Sequence, residues 1–400
     1  MRELREFHTS GPNGLPMGAL SVLRFCTINE PLLPNLKILD VRAVDWLLIQ
    51  FIPFFLSPRI TSITLKFGSD CPGALVASMV SSLPTLCPDL QTICLRPDLP
   101  ANPMITTAVS GVLLVTDQNK FRQLDVVFPL TEEASEMVYK LPNLRSLSVA
   151  IGRGTPPPPA SLPNLTKLEI TCDNEGVWPQ LFHGAALGKL ESVTFYPNSE
   201  EIGDFLGTFE KVALSSSVQN TLSTFHVRAS CSWNPNYSSL LSLTQLVDLE
   251  INSFCQLECS SRIDDDIIID ISRAMPKLQV LKLGDDPCQM LTVGVTAKGL
   301  MTLALRCPDL SHLRIHFQVA SLSVTQASLG NGRSIELTGP RTDCALAELA
   351  VGEIQVPEKS TLVVAQTLLH IFPRIEAILS LDFEGWKEVE DAFEDHRSFK

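Results

Sequence analysis

Residues 87–95 read CPDLQTICL and residues 307–315 read CPDLSHLRI. The same order, Cys-Pro-Asp-Leu-x-x-apolar-x-apolar, is written twice, 220 positions apart. Sliding its second half along the chain finds further copies: LPNLKILDV (33–41), SPRITSITL (57–65), NKFRQLDV (119–126), LPNLRSLSV (141–149) and LPNLTKLEI (162–170). LGKLESVTF (187–195), QNTLSTFHV (219–227), LTQLVDLEI (243–251), MPKLQVLKL (275–283) and CALAELAV (344–351) complete a set of twelve. GALSVLRF (18–25) is a candidate thirteenth copy and FPRIEAIL (372–379) a frayed last one. From Leu36 to Leu346 the leading apolar positions are spaced 21 to 36 residues apart, with a mean of about 28. Self-similarity at such a period marks a solenoid, which overrides the several domains that 400 residues would otherwise suggest.

One unit can be read physically. In x-x-Leu-x-Leu-x alternate side chains leave opposite faces of a strand, so the leucines enter a core and the x positions face outward. Proline before the leading Leu ends the preceding helix, because it has no amide donor and restricts its neighbour. Helices are expected between strands, with recognisable starts at Thr131-Glu-Glu, Ser199-Glu-Glu, Ile263-Asp-Asp-Asp, Thr296 and Ser360. Strand–helix–strand units place parallel strands side by side through right-handed crossovers. Strands stack about 4.8 Å apart and helices need about 10 Å. The expected fold is therefore an α/β right-handed solenoid, a curved horseshoe with parallel strands on the concave face and helices on the convex face. Residues 1–17 are expected to form an N-terminal remnant or cap, 18–380 about twelve or thirteen irregular repeats, and 381–400 an acidic amphipathic cap.

Bulk properties narrow the function classes. A net charge of −13 and a pI near 5.0 exclude the broad basic surface that nucleic acid or an anionic membrane would require. The longest apolar run, Trp46–Leu56, is too short to span a bilayer and contains Gln50 and Pro53. The start MRELREF lacks the apolar segment of a secretory signal, and the eleven cysteines are scattered. Buried free thiols in a reducing compartment, cytoplasmic or nuclear, are expected.

The repeats LPNLKILDV, LPNLRSLSV, LPNLTKLEI and VTAKGLMTLALRCPDLSHLRI (295–315) resemble the irregular leucine-rich-repeat region of fungal F-box proteins. The resemblance implies an α/β solenoid that recognises other proteins, as the substrate-recognition arm of a cullin-type ubiquitin ligase. A Skp-family adaptor would then dock on an F-box preceding the repeats, where this chain reads MRELREF. The family places Asn or Cys three residues after the last strand position, but this chain has Val44, Asp98, Gly152, Asp173, Ser230, Asp286 and Gln318 there, with Asn198 as the lone Asn. Irregular turns are expected as a result. The alternative is a stand-alone repeat scaffold with no link to ubiquitin.

Catalytic and metal chemistry are poorly supplied, and no cofactor is expected. Asp264, Asp265, Asp266 and Asp270 read as helix capping and a solvated acidic face rather than a hard-cation site. His312 and His316 fall on a strand, which favours a contact surface over a metal pair. Cys255 and Cys259 lack a second ligand pair, and GRGTPPPPA (152–160) reads as a polyproline loop. No G-x-S-x-G or comparable nucleophile motif is present.

Placing the repeats in register makes the outward positions a mixed polar surface. Its basic members are Arg42, Lys66 and Arg96 in the first half and His226, Arg228, His312, Arg314 and His316 in the second. If the face binds a protein, these residues suggest an acidic or phosphorylated segment; a merely solvated sheet is the alternative.

Overall fold

The computed structural model describes residues 3–4, 18, 22, 31–97, 102–151, 162–172, 187–197, 209–210, 218–230, 237–254, 263–284, 294–323, 342–351, 356, 360–380 and 386–398. It divides into two compact units, residues 1–190 and 191–400. The fold is the α/β leucine-rich-repeat solenoid that the spacing requires.

In the first unit the strands are β1 (Glu3–Leu4), β2 (Ile38–Val44), β3 (Ser62–Phe67), β4 (Thr92–Pro97), β5 (Gln123–Pro129), β6 (Ser146–Ile151) and β7 (Lys167–Cys172). All pair in parallel, each with the next in the chain. In the second unit β8 (Ser192–Pro197), β9 (Thr224–Ser230), β10 (Asp248–Phe254), β11 (Val280–Leu283), β12 (His312–Ile315), β13 (Glu348–Val351) and β14 (Ala377–Ser380) do the same. All twelve quoted segments form strands. The strand preceding β2 is Glu3–Leu4 rather than part of residues 18–25, within which Gly18 and Val22 are helical.

Each rung begins with a tight turn that explains the Pro-x-Leu signature. In α1 (Gly73–Leu86) the chain stops at Cys87, whose N–H donates to Leu83 O. The Cys87 carbonyl then accepts from Leu90 N–H, so Pro88 and Asp89 occupy the two central turn positions. Cys307 repeats this, donating to Leu303 O and accepting from Leu310 N–H. Met275 and Phe372 do likewise, and the four caps share φ between −133° and −116° and ψ between 64° and 78°. The backbone is thus the same whether Cys, Met or Phe fills the buried side-chain position.

The turn delivers its leading apolar residue into the core. All twelve such positions, Leu36 through Leu346, are at or below 1 % exposed. The next residue starts the strand ladder with a shared acceptor: Thr61 O takes both Gln91 N–H and Thr92 N–H, and Gln279 O takes Ser311 N–H and His312 N–H. Hydroxyls of Thr166, Ser223 and Ser311 add a third donor to the equivalent carbonyl of the preceding rung.

Rung length decides what lies between strands. Rungs of 30 and 31 residues hold α1 and α2 (Pro103–Val115). The 23-residue rung holds only α3 (Glu132–Val138), and among the described residues the 24-residue rungs hold only short pieces such as 48–50 and 237–240. In the second unit two of the three 32-residue rungs, 246–278 and 278–310, carry α4 (Asp265–Ala274) and α5 (Ala297–Arg306), followed later by α6 (Thr361–Ile371) and α7 (Trp386–Ser398). Starts fall where the capping residues stand. Thr131 accepts from Ala134 N–H, Asp264 from Ile267 N–H and Thr296 from Lys298 N–H. Most of the helix expected after Ser199 lies outside the described residues, as do the polyproline loop and Cys255 and Cys259; Phe209, one of its expected apolar positions, is helical and buried.

The acidic run 264–266 serves this architecture. Asp264 caps α4, and Asp265 accepts from Thr296 N–H (2.7 Å) and Thr296 Oγ1 (2.6 Å), tying one helix start to the next. Gly299 permits that approach, since a Cβ there would collide with the Asp265 carboxylate. Asp270 pairs with Arg273 on the exposed helix face. In α7, Trp386, Val389 and Phe393 are buried against α6 and β14, and Trp386 meets Phe317 edge-on at 6.2 Å.

Candidate functional site

Strand pairing confirms the register on which the outward positions depend. Asp40, Thr64, Cys94, Asp125, Ser148 and Glu169 form one row across β2–β7. Thr194, His226, Glu250, Lys282, Arg314, Ala350 and Leu379 form the equivalent row across β8–β14. The face is not simply a solvated sheet. Cys94, Asp125, Ser148, Thr194, Glu250 and Asn252 are buried although they point outward. Longer side chains from neighbouring positions lie over several of them, so the face has a buried polar layer under an outer charged one.

Two clusters define that layering. In the first unit, Asp125 Oδ2 accepts from Arg96 Nε (2.8 Å) and from Cys94 Sγ (3.1 Å) and lies 2.7 Å from Arg96 Nη2, which is itself 3.8 Å from a second carboxylate, Glu169 Oε2. Burial alone would lower the pKa of the Arg96 guanidinium, but the hydrogen bonds and charge of Asp125, reinforced by Glu169, raise it. Burial, with Asp125 adding its charge, pushes the Cys94 thiol up to about 12, so it stays a neutral donor.

In the second unit the organising carboxylate is Glu250. Its Oε1 accepts from Arg228 Nε (3.1 Å) and Asn252 Nδ2 (2.6 Å), and its Oε2 lies 3.5 Å from Lys282 Nζ. The Arg228 guanidinium sits 5.7 Å from the centre of the Tyr196 ring. Such a stack holds the planar group in a fixed orientation.

The remaining nominated residues fall beside carboxylates or one another. Arg42 Nη2 is 3.4 Å from Asp40 Oδ2 at an exposed site, and Lys66 is the register partner of Arg96. His226 Nε2 lies 3.0 Å from Asp248 Oδ2 without hydrogen-bond geometry. His312 Nδ1 is 2.8 Å from Ser311 Oγ and its Nε2 is 4.0 Å from Glu348 Oε2. Arg314 is the register partner of Lys282, and His316 packs beside Gly284, whose φ of +88° is the left-handed conformation. The structure thus brings Arg314 and His312 together with Lys282, and separately Arg228 with His226 near Glu250.

The outward rows carry no net charge, in contrast to the chain at −13. Among the described residues Glu3, Asp40, Asp125 and Glu169 balance Arg42, Lys66, Arg96 and Lys167, while Asp248, Glu250 and Glu348 balance Arg228, Lys282 and Arg314. Nominating the cations alone missed their acidic partners, although the register already placed Asp125 and Glu250 beside them. It also missed Glu348 and Leu379, which the same counting, carried two rungs further, would have found. Near them, between β11 and β14, lies a hollow of about 290 Å³ lined by Lys282, His312, Arg314, Glu348, Ala350 and Leu379.

Among the described residues no group of three or more His, Cys, Asp or Glu side chains has metal-binding geometry, and no helix is long and apolar enough to cross a membrane. No protein-family model and no curated protein matches the sequence. Among solved structures the chain is similar to one described as the crystal structure of the Rad7 and Elc1 complex in yeast, at 12 % identity and a TM-score of 0.40, covering 66 % of this chain and 74 % of that one.

Proposed function

We propose that this chain is a non-catalytic protein-recognition module that holds its partner on the outward strand face. Arg42, Lys66, Arg96, His226, Arg228, His312, Arg314 and His316 supply contacts to an acidic or phosphorylated segment. The observation that carries the reading is the layered polar face: buried carboxylates fix Arg96 and Arg228 in place, which leaves both side chains about half exposed and already oriented. Fixed charged groups on a rigid sheet are what selective binding of another chain requires, because little side-chain freedom remains to be lost on contact.

The narrower form of the proposal makes the module the substrate-recognition arm of an F-box-type ubiquitin ligase adaptor, working in the cytoplasm or nucleus. Its support is the resemblance of the repeats to those of fungal F-box proteins. In this form residues 381–400 close the last repeat, and a Skp-family adaptor binds an F-box N-terminal to the repeats in the gene product.

Two experiments test the two levels. A photo-crosslinking residue at Thr64 or Thr224 should capture a partner in cells, while one at Val115 or Leu305 on the helix side should not. Loss of that partner with the Arg228→Glu/Arg314→Glu variant is expected, and unchanged capture by the variant would overturn the binding face. Co-purification of the full gene product with a Skp-family adaptor is expected for the ligase form; its absence leaves the stand-alone scaffold.

A further inference from the structure

The net charge of −13 is unevenly placed along the chain. Residues 1–190 hold 15 cations and 16 anions, whereas residues 191–400 hold 16 cations and 28 anions. The turns that open each rung carry this contrast furthest. Each runs from three residues before the leading apolar position to one after it, as in 87–91 and 307–311. In the first unit these turns present Lys37, Arg59, Lys120, Arg122, Arg145 and Lys189 against Asp89 alone. Asp117 and the Lys140–Glu136 pair flank them, which leaves a surplus of four positive charges among the described residues. In the second unit the same positions present Lys277 and Arg374 against Glu191, Asp309, Asp343 and Glu376. Helix ends favour cations, but both units place helix ends at these turns, so helix ends do not account for the surplus.

Local contacts orient these cations while leaving most of their charge uncancelled. Lys120 pairs with Asp89 at 2.7 Å, but Arg59 Nη1 donates to Asn35 Oδ1 (2.6 Å) and Lys189 Nζ to Asn164 Oδ1 (2.7 Å), neutral acceptors one rung back. The Asn164 amide is itself fixed by donating to Pro142 O. Arg145 N–H donates to Arg122 O at 2.7 Å, so two exposed arginines leave adjacent rungs, about 4.8 Å apart. Neither is paired with a carboxylate among the described residues. Like charges side by side on neighbouring strands destabilise a sheet, a cost that an anion from outside relieves. We propose that the turn edge of the first unit docks a carboxylate-rich segment of a partner protein. From Lys37 to Lys189 the edge spans six rung steps, about 29 Å. An extended segment of about nine residues covers that length at about 3.3 Å per residue. A DNA duplex presents about 17 charges over the same distance, far beyond the surplus, whereas about four carboxylates match it. This goes beyond the strand-face reading and does not rest on it. On the strand face buried acids cancel the cations, while at this edge the field reaches outward and draws an acidic chain in.

The test is fluorescence anisotropy of a dye-labelled 12-residue peptide of alternating Glu and Ser, titrated with the full chain, beside a Gln–Ser peptide of the same length. The Glu–Ser peptide should bind and the Gln–Ser peptide should not. Its affinity should fall about tenfold between 0.01 and 0.1 M salt, as the screening length drops from about 30 to about 10 Å. Arg122→Glu/Arg145→Glu abolishes the surplus and should weaken binding at least tenfold, and Arg122→Gln/Arg145→Gln about threefold. Lys277→Glu, at the same turn position of the second unit, should stay within twofold of the parent. Circular dichroism melting of each variant keeps loss of binding distinct from loss of fold. The docking edge is refuted by absence of binding at 0.01 M salt, by affinity independent of salt, or by an Arg122→Glu/Arg145→Glu affinity within twofold of the parent. A 12-nucleotide oligothymidylate binding tenfold tighter than the peptide would refute the polypeptide assignment. If Arg228→Glu/Arg314→Glu weakens the peptide and Arg122→Glu/Arg145→Glu does not, the strand-face reading survives and the edge falls; if neither variant affects it, both fall.

Discussion

Replacing Arg228 with Ala tests whether the outward strand face holds a buried charge layer. The Glu250 side chain is 6 % exposed, and Arg228 supplies two of its contacts, at 3.1 and 3.0 Å. Removing one member of a fully buried pair costs about 3–5 kcal/mol. Here Asn252 and Lys282 still serve the carboxylate, and Arg228 itself is 42 % exposed, so about 2 kcal/mol is expected from the charge. Loss of the Tyr196 stack adds about 0.5–1 kcal/mol. Glu250→Gln should cost less, about 1 kcal/mol, because Arg228 and Lys282 can hydrate once released while the amide oxygen still accepts from Asn252. In the double variant the uncompensated charge is gone. With the Tyr196 stack still lost, its cost should be about 1.5–2 kcal/mol, giving a coupling of about 2 kcal/mol. Repeat arrays need not unfold in one step, so urea midpoints should be paired with native-state hydrogen exchange of β9 and β10. An Arg228→Ala cost below about 0.5 kcal/mol with additive single variants, as exposed pairs give, would refute the buried layer.

Other consequences follow from the core and its thiols. Leu278→Ala should destabilise by about 2–5 kcal/mol, as a fully buried leading position, whereas Val115→Ala, 75 % exposed, should stay within about 0.5 kcal/mol; equal effects in urea unfolding would contradict the rung assignment. Burial pushes Cys87 and Cys307 up to about 12 from 9.0. Below pH 9 both are protonated whether the chain is folded or not, so they leave stability unchanged. Above it the unfolded chain ionises first, and the native state loses about 1.4 kcal/mol per pH unit per thiol until the folded values are reached. Relative to a Cys87→Ala/Cys307→Ala variant under reducing conditions, the parent should therefore lose about 3 kcal/mol more between pH 8 and pH 10. Parallel losses would show that the two thiols are not shielded.

Much of the fold was legible because each repeat states its own turn. Pro at the second position and Leu at the fourth of CPDL, LPNL and MPKL mark a helix end, a tight turn and a buried anchor, and the strand follows within two residues. Helices with a polar first turn were legible too, since Thr131, Asp264 and Thr296 are side-chain caps. α1 and α2 were not. GALVASMVSSLPTL and PMITTAVSGVLLV contain Gly, Pro, Ser, Thr and Val and no charged residue, so neither propensity nor a polar stripe announces them. Their rungs are simply long enough that a helix is the compact way to satisfy the backbone while burying Val76, Val80, Leu83, Val109 and Leu113. On the binding face, periodicity assigned the side of the sheet for each residue but not its depth. Asp125 and Glu250 occupy the same alternate positions as exposed Lys66, and their burial depends on which long side chains the next rungs bring over them.

That dependence bears on how such a face selects partners. An isolated surface arginine samples many rotamers and loses up to about 2 kcal/mol of freedom when a ligand fixes it. Arg96 and Arg228 are already fixed, by Asp125 and Glu250, before any partner arrives. The same carboxylates cancel the cations' charge at a distance, so the face attracts weakly from afar. It discriminates on contact, through donors left pointing outward from each fork. A partner must therefore match positions rather than total charge, and changing the buried member should alter selectivity as much as changing the exposed one. Asp125→Asn leaves the Arg96 charge in place but removes the anion that orients it. If recognition works this way, that variant should bind a range of acidic peptides more tightly and distinguish among them less than the parent. Unchanged ranking across such a series would mean that the buried carboxylates serve stability alone.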